Sequence, residues 1–315
     1  MKYALLFPGQ GSQEVGMLGG LAAAHPIIDA TLAEASAALG YDLAALIRSG
    51  PVEELNRTQR TQPALLAASV AVARLWLSLG LPAPTALAGH SLGEYSALVV
   101  AGALDFADAL KLVELRGELM QSAVPQGVGA MAAVIGVDDD IVEKACAAYE
   151  GEGVLEPANY NAPGQVVVAG DKGAVDWLIA NAKRFGIRKV MPIPVSVPSH
   201  CSMMRGAAAR LAERLKTVAI STPTIPVLHN LDAAPRSDAD SIRTALIEQL
   251  FRPVRWVATI RNLEAADCHA LFECGPGKVL ASINKRIVDV ASGARTSIAL
   301  GDPEGLAQAQ AFFNR

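Results

Sequence analysis

The chain of 315 residues has few cysteines, no surplus of either charge and no long hydrophobic run. Its four cysteines, Cys146, Cys201, Cys268 and Cys274, include no Cys-x-x-Cys pair. Neither they nor the histidines and carboxylates show metal-ligand spacing, so no metal site is expected and the thiols read as unpaired. The net charge is only −4, without a basic tail or an acidic block, which gives nucleic acid no footing as a partner. The longest apolar stretch, Pro63 to Ala73, ends at Arg74 and is too short to span a bilayer. Tyr3 to Phe7, cut off by Pro8, is too short for the apolar region of a signal peptide. The expectation is a cytoplasmic protein with no membrane or nucleic-acid partner.

Two glycine-rich stretches fail as nucleotide motifs. After Gly9 and Gly11, a dinucleotide fingerprint needs a third glycine where Glu14 stands. Around Gly277-Lys278, a phosphate loop needs a glycine at Phe272 and a hydroxyl at Val279. Gly275-Pro276-Gly277 reads instead as a tight turn after a strand over 269–272.

Apolar residues make up 51% of the chain, enough for a large core in one domain or a domain with an insertion. Short apolar runs at Lys2 to Phe7 and Thr85 to Ala88 alternate with helical spacing over 22–39, 63–79 and 107–121, which indicates helices around a mostly parallel sheet. From about residue 126 the order becomes strand, helix, two strands, helix, strand, the ferredoxin-like pattern. The fold expected is α/β: a large subdomain from residues 1–125 and 197–315, with a small ferredoxin-like subdomain, 126–196, inserted.

The most informative stretch is Gly89-His90-Ser91-Leu92-Gly93-Glu94-Tyr95. It places Gly-x-Ser-x-Gly between a strand-like and a helix-like run, the context of a nucleophile elbow. Such a turn presents the Ser91 hydroxyl at a helix N-terminus, where free N–H groups favour developing negative charge. The Leu92 N–H, on the residue after the nucleophile, is the first expected oxyanion donor. Of five histidines, His90 is expected to brace the turn. His200 is the better base, since it sits in a proline-rich loop at an expected helix start that Ser199 could cap and that would keep the ring neutral. No carboxylate stands out as an orienter. Arg116 lies on an apolar stripe, with Leu112, Val113, Leu119 and Met120 at −4, −3, +3 and +4. A guanidinium there must snorkel outward, pair with an acidic side chain or await an anionic ligand. Elbow and histidine alone equally permit an acyl thioester hydrolase or esterase.

These segments, with Phe7-Pro8-Gly9-Gln10-Gly11-Ser12-Gln13, Thr61-Gln62-Pro63-Ala64, Arg116-Gly117, Asn159-Tyr160-Asn161-Ala162-Pro163-Gly164-Gln165, Val197-Pro198-Ser199-His200 and Gly275-Pro276-Gly277-Lys278, follow one another as in a known family. The chain resembles the malonyl-CoA:acyl carrier protein transacylases, stand-alone acyltransferases of fatty acid synthesis. The resemblance implies a hydrolase-like large subdomain, a ferredoxin-like small one and an active site between them. It implies malonyl transfer from malonyl-CoA to the pantetheine thiol of acyl carrier protein through an acyl-enzyme on Ser91, with no cofactor. His200 would then be the base, held by the backbone carbonyl of Gln249 in place of a carboxylate, and the Gln10 N–H the second oxyanion donor. Arg116 would grip the malonyl carboxylate bidentately. Gln62, Met120, Asn159, Asn161 and Ser199 would complete the substrate site, Gln62 in the acyl pocket and the two asparagines facing the cleft. Lys183, Arg184, Arg188 and Lys189 form a basic cluster suited either to an acidic carrier protein or to solvent. Other readings left open are a trans-acting acyltransferase of a polyketide pathway and a catalytically idle scaffold that binds carrier protein.

Overall fold

A computed structural model describes residues 2–195, 197–288 and 295–313. The first apolar run forms strand β1 (Tyr3–Phe7), and all five of its residues are buried. Such a strand must be covered on both faces, because alternate side chains point to opposite sides. Tyr3, Leu5 and Phe7 pack into the larger core with the long helices, while Ala4 and Leu6 join Trp256 and Ile260 on the other face. β1 pairs in parallel with β2 (Ala86–Gly89) and with β8 (Ala270–Glu273). Strand β7 (Val227–Leu228) and strand β9 (Thr296–Ala299) close the parallel sheet, in the order β7-β2-β1-β8-β9.

The second sheet is antiparallel. It comprises β3 (Gly129–Ile135), β4 (Leu155–Ala162), β5 (Gln165–Asp171) and β6 (Lys189–Ile193), in the order β4-β5-β3-β6. Helices Asp139–Ala147 and Lys172–Asn181 cover one face, and the resulting core of Val134, Val142, Val166 and Leu178 is separate from that of the first sheet. This is the ferredoxin-like arrangement beside an α/β body that the chain order implies.

Several boundaries differ from the expected ones. The helical run over 22–39 is two helices, Gly19–Ala24 and Pro26–Leu39, because Pro26 is preorganised to start a helix and His25 before it is extended. The helix expected from Pro63 begins earlier, at Thr58, and carries Pro63 inside it. The helix after His200 begins at Arg205, preceded by one 3-10 turn over Ser202–Met204.

Candidate active site

At the end of β2 the chain turns into helix Gly93–Val100, and Ser91 adopts φ 52°. A non-glycine residue in this left-handed region is strained and must be held there by its surroundings. Its own N–H donates to the Asn230 Oδ1 at 2.7 Å, and the Asn230 Nδ2 donates to the Gly89 carbonyl at 2.6 Å. The flanking glycines have steric reasons. A Cβ on Gly89 would stand 1.9 Å from the Gly93 carbonyl carbon, and one on Gly93 would stand 2.0 Å from the Phe7 oxygen in β1. The elbow is thus wedged against the central strand, and any larger residue would push the serine away.

His200 is also held at positive φ, 64°, its N–H donating to the Leu250 carbonyl at 3.0 Å. Its ring lies between two oxygens. Nδ1 is 2.7 Å from the Gln249 backbone carbonyl, and Nε2 is 2.7 Å from Ser91 Oγ. A carbonyl can only accept, so Nδ1 carries the proton and Nε2 is free to accept one from the Ser91 hydroxyl. Both ring nitrogens are thereby engaged, and no carboxylate takes part. Burial, reinforced by the nearby Arg116 charge, pushes the His200 imidazole down to about 3. The expected helix N-terminus is not the cause, and Ser199 does not cap one. The side chain of Ser199 turns back towards the Val197 carbonyl at 3.5 Å.

Arg116 projects from helix Phe106–Ala123 and is only 1% exposed. It neither snorkels nor pairs with a carboxylate among the described residues. One guanidinium nitrogen donates to Gln62 Oε1 at 2.8 Å. The other terminal nitrogen donates to Gln249 Oε1 at 3.0 Å and to Ser91 Oγ at 3.3 Å. A buried cation met only by neutral groups keeps its charge available to an anion.

A cleft of about 610 Å³ opens over these groups. Gln10, Leu92, Met120, Ser199 and His200 line it from the large body, and Asn159 and Asn161 from the antiparallel sheet. Leu92 is the N-cap of its helix, so its N–H has no intrahelical acceptor. Gln62 stands behind the cleft instead of lining it. It is fully buried, and its Nε2 reaches the Met120 Sδ at 3.5 Å. His90 reaches across the cleft, with Nε2 2.8 Å from the Asn161 Oδ1. The basic residues Lys183, Arg184, Arg188 and Lys189 are exposed and lie away from the cleft lining.

Sequence reasoning missed the layer beneath the elbow. Glu94 is fully buried and accepts from His229 Nδ1 at 2.7 Å, the Asn230 N–H at 2.9 Å and the Gln249 Nε2 at 2.8 Å. Burial opposes its charge, yet His229 and these donors hold the carboxyl below the ordinary carboxylate range. A signal existed: a glutamate opening an otherwise apolar helix has to find partners. Nothing local marked Asn230 or His229 as those partners.

A strained serine hydrogen-bonded to a neutral imidazole, at the end of a parallel strand, is equipped for nucleophilic attack on an acyl carbonyl. Comparison with known proteins narrows the class. Residues 4–309 match the acyl transferase domain family. The malonyl CoA-acyl carrier protein transacylase of Escherichia coli strain K12 is 53% identical over 309 residues, 98% of each chain. A crystal structure of an acyl carrier protein S-malonyltransferase from Vibrio cholerae superposes with a TM-score of 0.94 at 51% identity. It covers 98% of this chain and 100% of its own. A malonyl-transacylase solved with its type II PKS acyl-carrier protein superposes with a TM-score of 0.95 at 48% identity, covering 98% and 99%. The chain belongs to the malonyl CoA-acyl carrier protein transacylase family of acyl transferases.

Proposed function

We propose that the protein transfers malonyl groups from malonyl-CoA to the phosphopantetheine thiol of acyl carrier protein, for fatty acid biosynthesis. The observation that carries this reading is the buried Arg116 guanidinium 3.3 Å from Ser91 Oγ. A malonyl carboxylate lies two bonds from the carbonyl that the serine attacks, so its cation must stand beside the nucleophile. A longer diacid would overshoot that cation, and an acyl group without a carboxylate would leave it buried and unpaired.

In the first half-reaction Ser91 Oγ attacks the thioester carbonyl while His200 Nε2 takes the hydroxyl proton. The amide N–H groups of Leu92 and Gln10 receive the oxyanion. The C–S bond then breaks, and coenzyme A leaves as a thiol with the proton from His200. In the second half-reaction the carrier-protein thiol gives its proton to the same nitrogen and attacks the malonyl ester. The tetrahedral intermediate collapses, Ser91 regains its proton and the malonyl thioester departs. Gln249 holds the imidazole in the required tautomer through its carbonyl. Ser91, His200 and the two thiols account for every bond and proton, so the reading calls on no resident cofactor. We place the reaction in the cytosol. All four cysteines are free thiols, and no helix among the described residues is long and apolar enough to cross a membrane.

Intact-mass measurement after mixing with malonyl-CoA tests the proposal. A single malonyl increment on Ser91 that persists until carrier protein is added is the expected result. An increment lost to water at the same rate with or without carrier protein would make the protein a thioester hydrolase. No increment would leave only a scaffold.

A further inference from the structure

The Glu94 carboxylate takes no part in the mechanism, yet two of its three partners, Asn230 and Gln249, in turn hydrogen-bond the elbow. Its Oε1 accepts from His229, while its Oε2 accepts from the Asn230 amide and from Gln249 Nε2. The second proton of that Nε2 goes to the Ser91 carbonyl at 3.0 Å. At the other end of the same amide, Oε1 accepts from Arg116 at 3.0 Å. A side-chain amide has one donor end and one acceptor end. Two acceptors lie on one side of Gln249 and a guanidinium on the other, so only one of its two flips is satisfied.

We propose that Glu94 is a positioning residue for acyl-group selection: it fixes the flip of the Gln249 amide, which in turn holds Arg116 where it meets the acyl carboxylate beside Ser91. The inference rests on the role given to Arg116 above. It also accounts for the spacing of the charges. A carboxylate in direct contact with Arg116 would neutralise the cation and exclude an anionic substrate. With one neutral amide in between, orientation is transmitted and the guanidinium keeps its charge for the ligand. Among the described residues, Arg116 accordingly makes no ion pair with any Asp or Glu.

Substituting Glu94→Gln tests this, because it keeps the shape, removes the charge and leaves one acceptor oxygen in place of two. The one oxygen that remains cannot accept from His229, Asn230 and Gln249 as the carboxylate does, so the hold on the Gln249 amide weakens and Arg116 loses the fixed acceptor that positions it. The kcat/KM values for malonyl-CoA and acetyl-CoA give the readout. The malonyl-to-acetyl preference should fall about tenfold or more, mainly through KM for malonyl-CoA, as for loss of a hydrogen bond to a charged group. Removing the Glu94 charge with the amide unmoved would instead strengthen the hold on an anion, so a raised preference overturns the proposal. An equal fall for both substrates overturns it too, since that is the mark of a purely structural glutamate. His229→Phe removes the donor to Oε1 and leaves both Oε2 contacts, so it should retain the preference within about threefold even if it melts lower. A loss of preference matching that of Glu94→Gln would assign the effect to packing and sink the idea. Should Glu94→Gln fail to fold, Gln249→Met removes the amide and keeps the backbone carbonyl. It should lose the preference likewise, and an unchanged preference there overturns the proposal. A wild-type enzyme indifferent to malonyl would refute the function itself, a result separate from any of these.

Discussion

On the side of the cleft built from the parallel sheet, Ser91, His200, Gln249 and Arg116 are tied to one another by bonds of 2.7–3.3 Å. The antiparallel sheet faces them with Asn159, Asn161, Met131, Val167 and Ile193. It is joined to the other body by scattered contacts: His90 with Asn161, the Ser202 hydroxyl and N–H donating to Glu156, and the Tyr160 N–H donating to the Val254 carbonyl. The groups that exchange protons and hold charge need placement within a fraction of an ångström, and only one densely packed body supplies that. The second sheet shapes the space around the acyl chain. Chemistry should therefore be lost mainly by changes on the first side, and each substitution below tests that division.

The largest effect is expected from Ser91→Ala, which should abolish both transfer and the acyl-enzyme mass, since no other hydroxyl stands in the elbow. An acyl label recovered on a residue of the antiparallel sheet would break the comparison outright.

His200→Ala should follow, slowing transfer by at least about 10²-fold as a general base is lost. In the same assay Asp240 and Glu248 variants should stay near wild type, because those carboxylates pair with Arg243 and Arg252. The histidine also carries a pH signature. Its folded value is about 3 against an ordinary 6.5, so between these limits the unfolded chain binds a proton that the folded chain refuses. Above about 6.5 its contribution to stability is complete, and it is lost progressively as pH falls towards about 3. The acid limb of kcat/KM should therefore lie far below 6.5. It should move upward in Arg116→Ala, which removes a charge that holds the imidazole neutral. A wild-type limb near 6.5, unmoved by that substitution, would contradict the coupling between the two residues.

Arg116→Ala itself should cost malonyl-CoA about 2–5 kcal/mol in kcat/KM, the range for breaking a buried, hydrogen-bonded charge contact. Reaction with acetyl-CoA should fall little or rise, because a desolvated cation no longer opposes an uncharged acyl group. An equal fall for both would make Arg116 a structural residue.

The smallest effect belongs to the other side of the cleft. Asn161→Ala removes the partner of His90 Nε2 and one polar wall group, a change of about 0.5–1.5 kcal/mol as for a neutral hydrogen bond. A loss in turnover as deep as that of His200→Ala would place chemistry on the antiparallel sheet and end the division drawn here.

Which features were legible in the chain follows from how far apart their determinants lie. The elbow was legible because its requirement is local: two glycines four residues apart, a serine between them and apolar runs on either side. The alternation of strands and helices was legible for the same reason, since periods of two and of about three and a half residues are written in consecutive positions. The buried cation was half legible. Apolar neighbours on the helix marked Arg116 as a charge needing partners, but only family resemblance said which kind.

By itself, then, the sequence determined which residues could react and which backbone could hold them, because steric and periodic constraints act between near neighbours. Tertiary structure alone decided their partners. Arg116 meets side chains 54 and 133 positions away, and Ser91 meets a histidine 109 positions away. Glu94 proved to be the root of the polar layer, not an ordinary first-turn acid, because β7 and helix Ala239–Gln249 bring His229, Asn230 and Gln249 against it. The physical reason is that a buried polar group must be satisfied by whatever the packing of distant elements brings within 3 Å, and no local period records that meeting.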